Sequence, residues 1–201
     1  MRWCRSLIVA LVVLHALPAA AADNDARGFV EQYIGSAKRI RADAALAPDQ
    51  KNAQNRALLH DAYDFAGAPK AILGRHWAKA TDDQQRRYLD QFEQYLVAAY
   101  GKRFDEVAAN LAVTHISVED KRTIVHSTST IRQTEPTRID WILVQPEGTQ
   151  WRVTDVIVNG IGSVETMRQE FSAVLRANNG DIEGLLAALQ HRTEAVVRAG
   201  D

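Results

Sequence analysis

Residues 138–158 read RIDWILVQPEGTQWRVTDVIV, which is two apolar runs joined by a turn. Val, Ile and Trp are frequent in both runs, and these residue types favour strands. Between the runs, Gln145-Pro146-Glu147-Gly148 has Pro in its second position and Gly in its fourth, which is typical of a type I turn. A link this short makes its two strands antiparallel. The segment therefore predicts a hairpin with strands over 138–145 and 150–158.

Two more strand-like runs precede this hairpin, over 111–118 and 122–132. Their connections are short and rich in turn-forming residues, so we expect these runs to extend the same antiparallel sheet. The prediction is a sheet of about four strands, built in chain order from 111 to 158.

Apolar residues fall on both faces of the predicted hairpin. In its first strand they are Ile139, Trp141 and Leu143 on one face, and Ile142 and Val144 on the other. In its second strand, alternation places Val156 and Val158 on one face, and Val153 and Ile157 on the other. An antiparallel sheet usually leaves one face to water. Either both faces are covered here, or one of them lines an apolar pocket.

Helical periodicity precedes the strands. Apolar residues recur at helical spacing over 23–41, and a short helix that carries Leu73 and Trp77 is expected to start at Pro69. The clearest helix begins at Thr81-Asp82-Asp83-Gln84, which fits a capping box. Gly101 is expected to bend or end this helix, although its apolar pattern can resume beyond that glycine.

Two further helices are expected after the sheet. Ser163 and Asp181 are suitable N-cap residues for them, and Asn178-Asn179-Gly180 separates the two. The residues after Arg192 are expected to fray. Helices packed on one side of an antiparallel sheet form an α+β layer fold.

The first residues have the features of a secretion signal. Arg2 and Arg5 give a positive start, residues 6–17 form an apolar run, and a row of alanines ends at Ala22. This order is typical of a cleaved leader, and the run is shorter than the roughly 20 residues that span a bilayer. We therefore expect a signal peptide over 1–22, cleavage near Ala22, and an exported mature chain.

Composition narrows the chemistry of that mature chain. Cys4 is the only cysteine, and it lies within the expected leader, which excludes thiol catalysis and zinc-thiolate sites. The net charge of the full sequence is only −1, and this near-neutral balance argues against nucleic acid as a partner, because phosphate binding requires clustered Lys and Arg. A domain of this size buries roughly 70% of its unfolded surface, so it can be stable outside the cytoplasm without disulfides.

The candidates for catalysis are few. No G-x-S-x-G, H-E-x-x-H or phosphate-binding loop occurs. A symmetric hairpin would set Asp140 directly opposite Asp155. Two facing carboxylates repel each other, which favours keeping a proton on one of them, as a general acid requires. A bulge that separates them, or neutralisation by neighbouring arginines, would remove that role. His115 and His126 lie on neighbouring strands and could approach each other, but they form no metal-binding spacing.

Short segments in both halves of the chain form one further pattern. In the first half they are Tyr63-Asp64-Phe65, Leu73-Gly74-Arg75-His76-Trp77 and Phe92-Glu93-Gln94-Tyr95-Leu96. In the second half they are Trp151-Arg152-Val153-Thr154-Asp155-Val156, Asn159-Gly160-Ile161, Arg168-Gln169-Glu170-Phe171 and Asp181-Ile182-Glu183-Gly184-Leu185-Leu186. In this order and spacing, over roughly residues 25–192, they resemble the toluene-tolerance family of periplasmic phospholipid-binding proteins, the MlaC type.

The resemblance implies both a fold and a function. Such proteins have an NTF2-like α+β fold, with helices packed on a twisted antiparallel sheet and an apolar cavity between the layers. They carry phospholipid across the periplasm between an outer-membrane lipoprotein complex and an inner-membrane ABC transporter with an MCE-domain subunit, which maintains outer-membrane lipid asymmetry. The resemblance therefore implies a lipid-binding domain over 23–192, a frayed tail over 193–201, no cofactor, no metal and no enzymatic turnover.

The same resemblance locates the cavity walls. The expected lipid-binding residues are Leu73, Trp77, Phe92, Leu96, Trp141, Leu143, Val158, Val164 and Met167. Two positions depart from the family pattern, since Gly160-Ile161-Gly162 replaces the usual Gly-Val-Ser and Met167 replaces a frequent Tyr. Both lie near the expected pocket, so a hopanoid-type cargo stays an alternative. The second alternative is a hydrolase- or isomerase-like enzyme that uses Asp140 and Asp155.

Overall fold

Six α-helices and five strands make up the part of the chain that the computed structural model describes, residues 19–108, 110–120, 122–130, 135–146 and 149–200. The helices are α1 (Ala19–Ala42), α2 (Pro48–Ala62), α3 (Ala68–Leu73), α4 (Asp82–Ala108), α5 (Ser163–Ala177) and α6 (Ile182–Gly200), with a 3₁₀ helix (Gly74–Lys79) after α3. The strands are β1 (Leu111–Glu119), β2 (Arg122–Ser129), β3 (Thr137–Val144), β4 (Arg152–Val158) and β5 (Ile161–Gly162). The predicted α+β class is confirmed.

The strands form one open antiparallel sheet in the order β1-β2-β3-β4-β5. β3 and β4 are the predicted hairpin, although turn residues 147–148 and the predicted strand end at 131–132 lie outside the described residues. Asn159 and Gly160 follow the predicted end of the sheet at residue 158, but they form the turn of a further short hairpin. Their φ angles are 49° and 84°, and positive φ at both central residues is what such a tight turn requires.

Two bulges change which side chains share a face of the sheet. Thr114 in β1 and Thr154 in β4 have no partner in the register of the neighbouring strand. Because successive side chains of a strand point to opposite faces, one extra residue inverts the alternation beyond it. The expected opposition of Val153 and Val156 is therefore wrong, since both pack into the core under the helices.

Local sequence signals explain where α4 and α6 begin. The capping box of α4 is present: the Thr81 N–H donates to Gln84 Oε1 at 3.0 Å, and the Gln84 N–H donates to Thr81 Oγ1 at 3.2 Å. Asp181 Oδ1 accepts a hydrogen bond from the Glu183 N–H at 3.0 Å in the first turn of α6. α4 does not end at Gly101 but continues through it.

Three other helix predictions need correction. The short helix expected from Pro69 is divided into α3 and the 3₁₀ helix, because Gly74 adopts a φ of 54°, a left-handed conformation that costs glycine little. α5 begins at Ser163 itself, so Gly162 and not Ser163 is the N-cap residue. α6 continues past Arg192 to its end, so this segment is helical where a frayed tail was expected.

The helices cover one face of the sheet, and the core lies between the two layers. The sheet contributes Val125, Ile139, Trp141, Leu143 and Val153. The helices contribute Ala26, Val30, Ile34, Ile72, Leu73, Tyr88, Phe92, Leu96, Met167, Phe171, Leu175, Ile182, Leu185, Leu186 and Leu189. We call the opposite face of the sheet, which carries His126 and Asp140, the outer face.

The expected leader lies almost wholly outside the described residues, which begin at residue 19. α1 starts at Ala19 and runs through the expected cleavage point at Ala22. Among the described helices, none combines the length and the apolar character needed to cross a bilayer.

Candidate functional site

Most of the expected wall residues lie together between the sheet and the helices. Trp77 and Val164 are partly buried and pack against the core, whereas Val158 is 41% exposed at the end of β4 and lies outside the core cluster. The others are almost fully buried, namely Leu73, Phe92, Leu96, Trp141, Leu143 and Met167. The fold therefore brings eight of the nine side chains into or against one apolar interior.

Phe92 lies within an aromatic cluster in this interior. Its ring centroid is 5.8 Å from that of Tyr88, 6.3 Å from that of Tyr63, and 6.4 Å from those of Phe65 and Phe171. These separations are typical of favourable aromatic pairs. Sequence reasoning omitted Tyr88 from the wall, although Tyr88 precedes Phe92 by one helical turn and therefore lies on the same face of α4.

The hydroxyl of Tyr88 ties α4 to α3. It donates a hydrogen bond to the carbonyl oxygen of Pro69 at 3.1 Å. Burial raises the pKa of Tyr88 well above its ordinary value, and the neighbouring Tyr63 raises it further. The side chain thus stays a neutral donor, and the one polar group that it brings into the interior has a partner.

The polar atoms on the sheet side of the interior also form hydrogen bonds within the sheet. The Trp141 Nε1–H donates to Ser127 Oγ at 3.0 Å, and the Ser127 hydroxyl donates to the carbonyl oxygen of Ile139 at 2.8 Å. Tyr33 of α1 packs edge-on against Trp141, with ring centroids 5.9 Å apart. Because a polar group buried without a partner is costly, these bonds allow a Trp and a Ser to sit in a wall that otherwise presents hydrocarbon.

Side chains fill the centre of this interior. Tyr88, Phe92 and Leu143 are 0% accessible, so no void that admits water adjoins them. A cavity of about 230 Å³ lies elsewhere, on the surface between α4 and α6, and its lining is polar: Asp90, Gln91, Gln94, Gln190, Thr193 and Glu194. This surface cavity is not the apolar cavity expected between the layers.

Basic side chains occur on α3 and on the 3₁₀ helix that carries the half-buried Trp77. Lys70 Nζ lies 5.4 Å from the centre of the Trp77 ring, a cation–π arrangement. The pKa of His76 is lowered, first by its partial burial and then by the positive charges of Arg75 and Lys79. We call Lys70, Arg75 and Lys79, with Trp77, the basic rim.

The predicted carboxylate pair is not present. Asp140 pairs with Ile157, and Asp155 pairs with Ile142, because the register differs from the symmetric hairpin by two residues: Val144 already pairs with Arg152 near the turn, and the bulge at Thr154 adds the second residue. The two aspartates are therefore offset along the strands instead of facing each other. The turn and the bulge each contribute one residue of this shift.

Asp155 stabilises the start of α5. Its Oδ1 accepts hydrogen bonds from the Val156 N–H at 2.7 Å, the Ser163 hydroxyl at 2.6 Å and the Val164 N–H at 3.0 Å. A carboxylate at a helix N-terminus is also favoured by the helix dipole. A Cβ on Gly162 would lie 3.0 Å from Asp155 Oδ2, which is a tight contact, so a side chain at this position would require Asp155 to shift.

Asp140 belongs to a line of polar side chains across the outer face. Its Oδ1 lies 2.8 Å from His126 Nδ1, His126 Nε2 lies 2.9 Å from Ser117 Oγ, and Asp140 Oδ2 lies 3.2 Å from Arg138 Nε. The predicted approach of His115 and His126 is confirmed, with the rings stacked 4.1 Å apart. Among the described residues, no group of three or more His, Cys, Asp or Glu side chains could hold a metal ion.

Comparison with known proteins gives one consistent result. Toluene tolerance protein ttg2D of Pseudomonas putida is 28% identical to this chain over 182 residues, which cover 86% of this chain and 84% of that protein. The structure of the phospholipid-binding protein from Ralstonia solanacearum in complex with a phospholipid shares the fold, with a TM-score of 0.70 at 23% identity over 88% of this chain and 98% of that one. A family model described as MlaC protein matches residues 29–191, and the chain therefore belongs to the MlaC family.

Proposed function

We propose that this protein is a phospholipid carrier whose cargo occupies the apolar interior between the sheet and the helices. The observation that supports the proposal most directly is this interior, in which side chains from α3, α4, α5 and β3 form one continuous apolar cluster. A related fold was solved in complex with a phospholipid. The offset of Asp140 from Asp155 removes the feature on which the competing enzyme hypothesis depended.

The carrier is proposed to work in the periplasm after residues 1–22 have directed its export. Residues 23–192 then move phospholipid between an outer-membrane lipoprotein complex and an inner-membrane ABC transporter with an MCE-domain subunit. This traffic maintains the lipid asymmetry of the outer membrane. The family membership and the leader-like composition of the first residues support this setting.

An acyl chain can enter only if the layers move apart or the side chains rotate, since the centre of the interior has no room for water. Leu73 and Met167 lie on α3 and α5, two helices that pack against each other. A Met side chain is unbranched and adapts to irregular space more readily than an aromatic ring. Loading is therefore proposed to begin between α3 and α5.

The free energy that an acyl chain gains in the carrier should be close to the free energy that it gains in the membrane. Each buried CH₂ contributes about 0.8 kcal/mol, so a 16-carbon chain gains on the order of 12 kcal/mol over water. A membrane offers the same chain a comparable gain. Because the two gains nearly cancel, lipid can move in either direction, and the partner complexes set which direction prevails.

The basic rim is proposed to lie next to the lipid headgroup. A phosphate group is bound well by Lys and Arg through charge-assisted hydrogen bonds. Lys70 lies over the Trp77 ring, and Arg75 and Lys79 lie near the adjacent His76. Because Trp77 packs against the apolar interior, one lipid can place its chains in the core and its phosphate at the rim.

Extraction of lipid from the gently purified protein tests the proposal. We expect mass spectrometry to find phospholipid, and its identity also decides between phospholipid and a hopanoid-type cargo. Protein that holds no lipid and takes none up from phospholipid vesicles would exclude the carrier function.

A charged side chain in the wall provides a second test. Leu96 is 5% exposed, so Leu96→Asp would bury an unpaired carboxylate and should release the lipid. Ala187→Asp, at an exposed position of α6, controls for the added charge. Circular dichroism separates loss of lipid from loss of fold, and a folded Leu96→Asp protein with normal lipid content would exclude this wall.

A further inference from the structure

Ser117, His126 and Asp140 lie on the three neighbouring strands β1, β2 and β3 and form one hydrogen-bonded chain on the outer face. Ser117 Oγ is 2.9 Å from His126 Nε2, and His126 Nδ1 is 2.8 Å from Asp140 Oδ1. A nucleophile, a base and a group that orients the base, each within hydrogen-bond reach of the next, are the arrangement that activates serine. We propose that these residues form a nucleophilic site that hydrolyses small carboxylic esters.

The chemistry of the three groups fixes their roles. A carboxylate only accepts hydrogen bonds, so His126 carries its proton on Nδ1 and donates it to Asp140. Nε2 is then an acceptor and can take the proton of the Ser117 hydroxyl. Asp140 is 5% exposed, and Arg138 pairs with its second oxygen at 3.2 Å, so the carboxylate is held in place as a positioning residue.

The bulge in β1 creates this arrangement. Without the extra residue Thr114, Ser117 would share a face with Val113, which packs into the core. The bulge turns Ser117 to the outer face beside His126. Thr114 Oγ1 also donates to the carbonyl oxygen of His126 at 3.1 Å, and the ring of His115 stacks on that of His126 at 4.1 Å. Bulges next to active sites commonly aim a side chain in this way.

β1 is the edge strand of the sheet, and an edge strand can offer backbone hydrogen-bond donors to the transition state of ester hydrolysis. Alternate backbone N–H groups of an edge strand point away from its neighbour and have no strand partner. One of the N–H groups of Ser117 and Val118 therefore points outward, next to the nucleophile, and can donate to an oxyanion. Val118 is 63% exposed, so the edge is accessible to a small ester.

The reaction proceeds in two balanced steps. Ser117 Oγ attacks the ester carbonyl while His126 Nε2 takes the hydroxyl proton, and the same proton then passes to the departing alkoxide, which leaves as an alcohol. Water next attacks the acyl-serine and gives a proton to His126. That proton returns to Ser117 Oγ as the carboxylic acid departs. Water is the only co-reactant, and no cofactor is required.

A fluorophosphonate probe and p-nitrophenyl acetate test this inference on the full mature protein. We expect the probe to label Ser117, as located by peptide mass spectrometry, and Ser117→Ala to abolish both labelling and ester hydrolysis. His126→Gln should slow labelling by about 10²–10⁴-fold, the usual contribution of a general base. Ser172→Ala, on α5, is a matched control that should label as the wild type does.

The result that overturns the inference is a wild-type protein that the probe does not label, or that it labels at another residue. Because the wild-type measurement alone can give this result, the test does not depend on how well a variant folds. Lipid content is measured on the same samples. Ser117 lies on the face of the sheet away from the proposed lipid site, so Ser117→Ala should keep its phospholipid, and failure of one hypothesis leaves the other unaffected.

Discussion

Leu143→Ala tests whether a lipid chain occupies the space next to the sheet. Leu143 in β3 is 0% exposed and belongs to the proposed wall. Leu189 in α6 is 1% exposed and lies outside the proposed wall, which makes Leu189→Ala a matched control. In lipid-free protein each change should lower the free energy of unfolding by about 2–5 kcal/mol, because each deletes the same buried carbons and leaves a cavity.

The two changes should differ once lipid is bound. About 2.4 kcal/mol of the loss of unfolding free energy in lipid-free protein is the transfer free energy of three carbons at about 0.8 kcal/mol each. The rest is the cost of the cavity. A hydrocarbon chain beside residue 143 can refill that cavity, so the loss for Leu143→Ala should shrink by about 1–2 kcal/mol in the loaded protein. By linkage, Leu143→Ala should bind lipid about 5–30-fold more tightly than the wild type.

Denaturant unfolding followed by circular dichroism measures these losses in lipid-free and reloaded protein. The quantity to compare is the loss of unfolding free energy that each substitution causes relative to the wild type. This loss is measured once in lipid-free protein and once in reloaded protein, with the same lipid concentration for all reloaded samples. An unchanged loss for Leu143→Ala, or an equal reduction for Leu189→Ala, would show that the chain does not lie against β3.

Three other predictions follow from particular contacts, and a fourth follows from the leader-like sequence of the first residues. Burial raises the pKa of Tyr88, so the contribution of Tyr88 to stability should be constant below pH ~10, where tyrosine ionises in the unfolded chain, and should fall above it; Tyr88→Phe should flatten that fall in unfolding curves collected against pH. Asp155→Ala should cost about 1–2 kcal/mol of unfolding free energy, whereas Asp155→Asn, which keeps the accepting oxygen, should cost less than about 1 kcal/mol; equal costs would contradict the capping role. Ser127→Ala should cost about 1–3 kcal/mol, because the indole N–H of Trp141 loses its acceptor, and an unchanged denaturation midpoint would argue against that bond. N-terminal sequencing of exported protein should find a start near residue 23, and a start at Met1 would exclude cleavage.

The helices and the hairpin could be predicted because their signals are local. The capping box at Thr81 and the alternation of Ile139, Trp141 and Leu143 each depend on residues within a few positions of one another. β5 was missed because a two-residue strand has no periodicity to detect, although the Asn159-Gly160 pair is itself a hairpin signal.

The polar sites of the outer face could not be predicted, because both bulges occur at threonines with no distinguishing sequence pattern. A strictly alternating strand puts Asp140 opposite Asp155 and sends Ser117 into the core. A one-residue shift at the turn and one extra residue in β4 separate the aspartates, and one extra residue in β1 brings Ser117 to His126. Strand register depends on the packing of the whole sheet, so a single sequence gives it poorly.

The order of the strands has a consequence for how the chain folds. Each strand pairs with its neighbour in sequence, from β1 to β5, without a crossover. A sheet of this kind can grow by adding one hairpin at a time, and each addition closes only a short loop, which keeps the entropic barrier low. Cys4 is the only cysteine of the chain, so no disulfide within the chain can form or exchange to slow this assembly. The slowest contact is expected to be the docking of α1 on β1 and β2, since the first helix must wait for strands that follow it by about 70 residues or more.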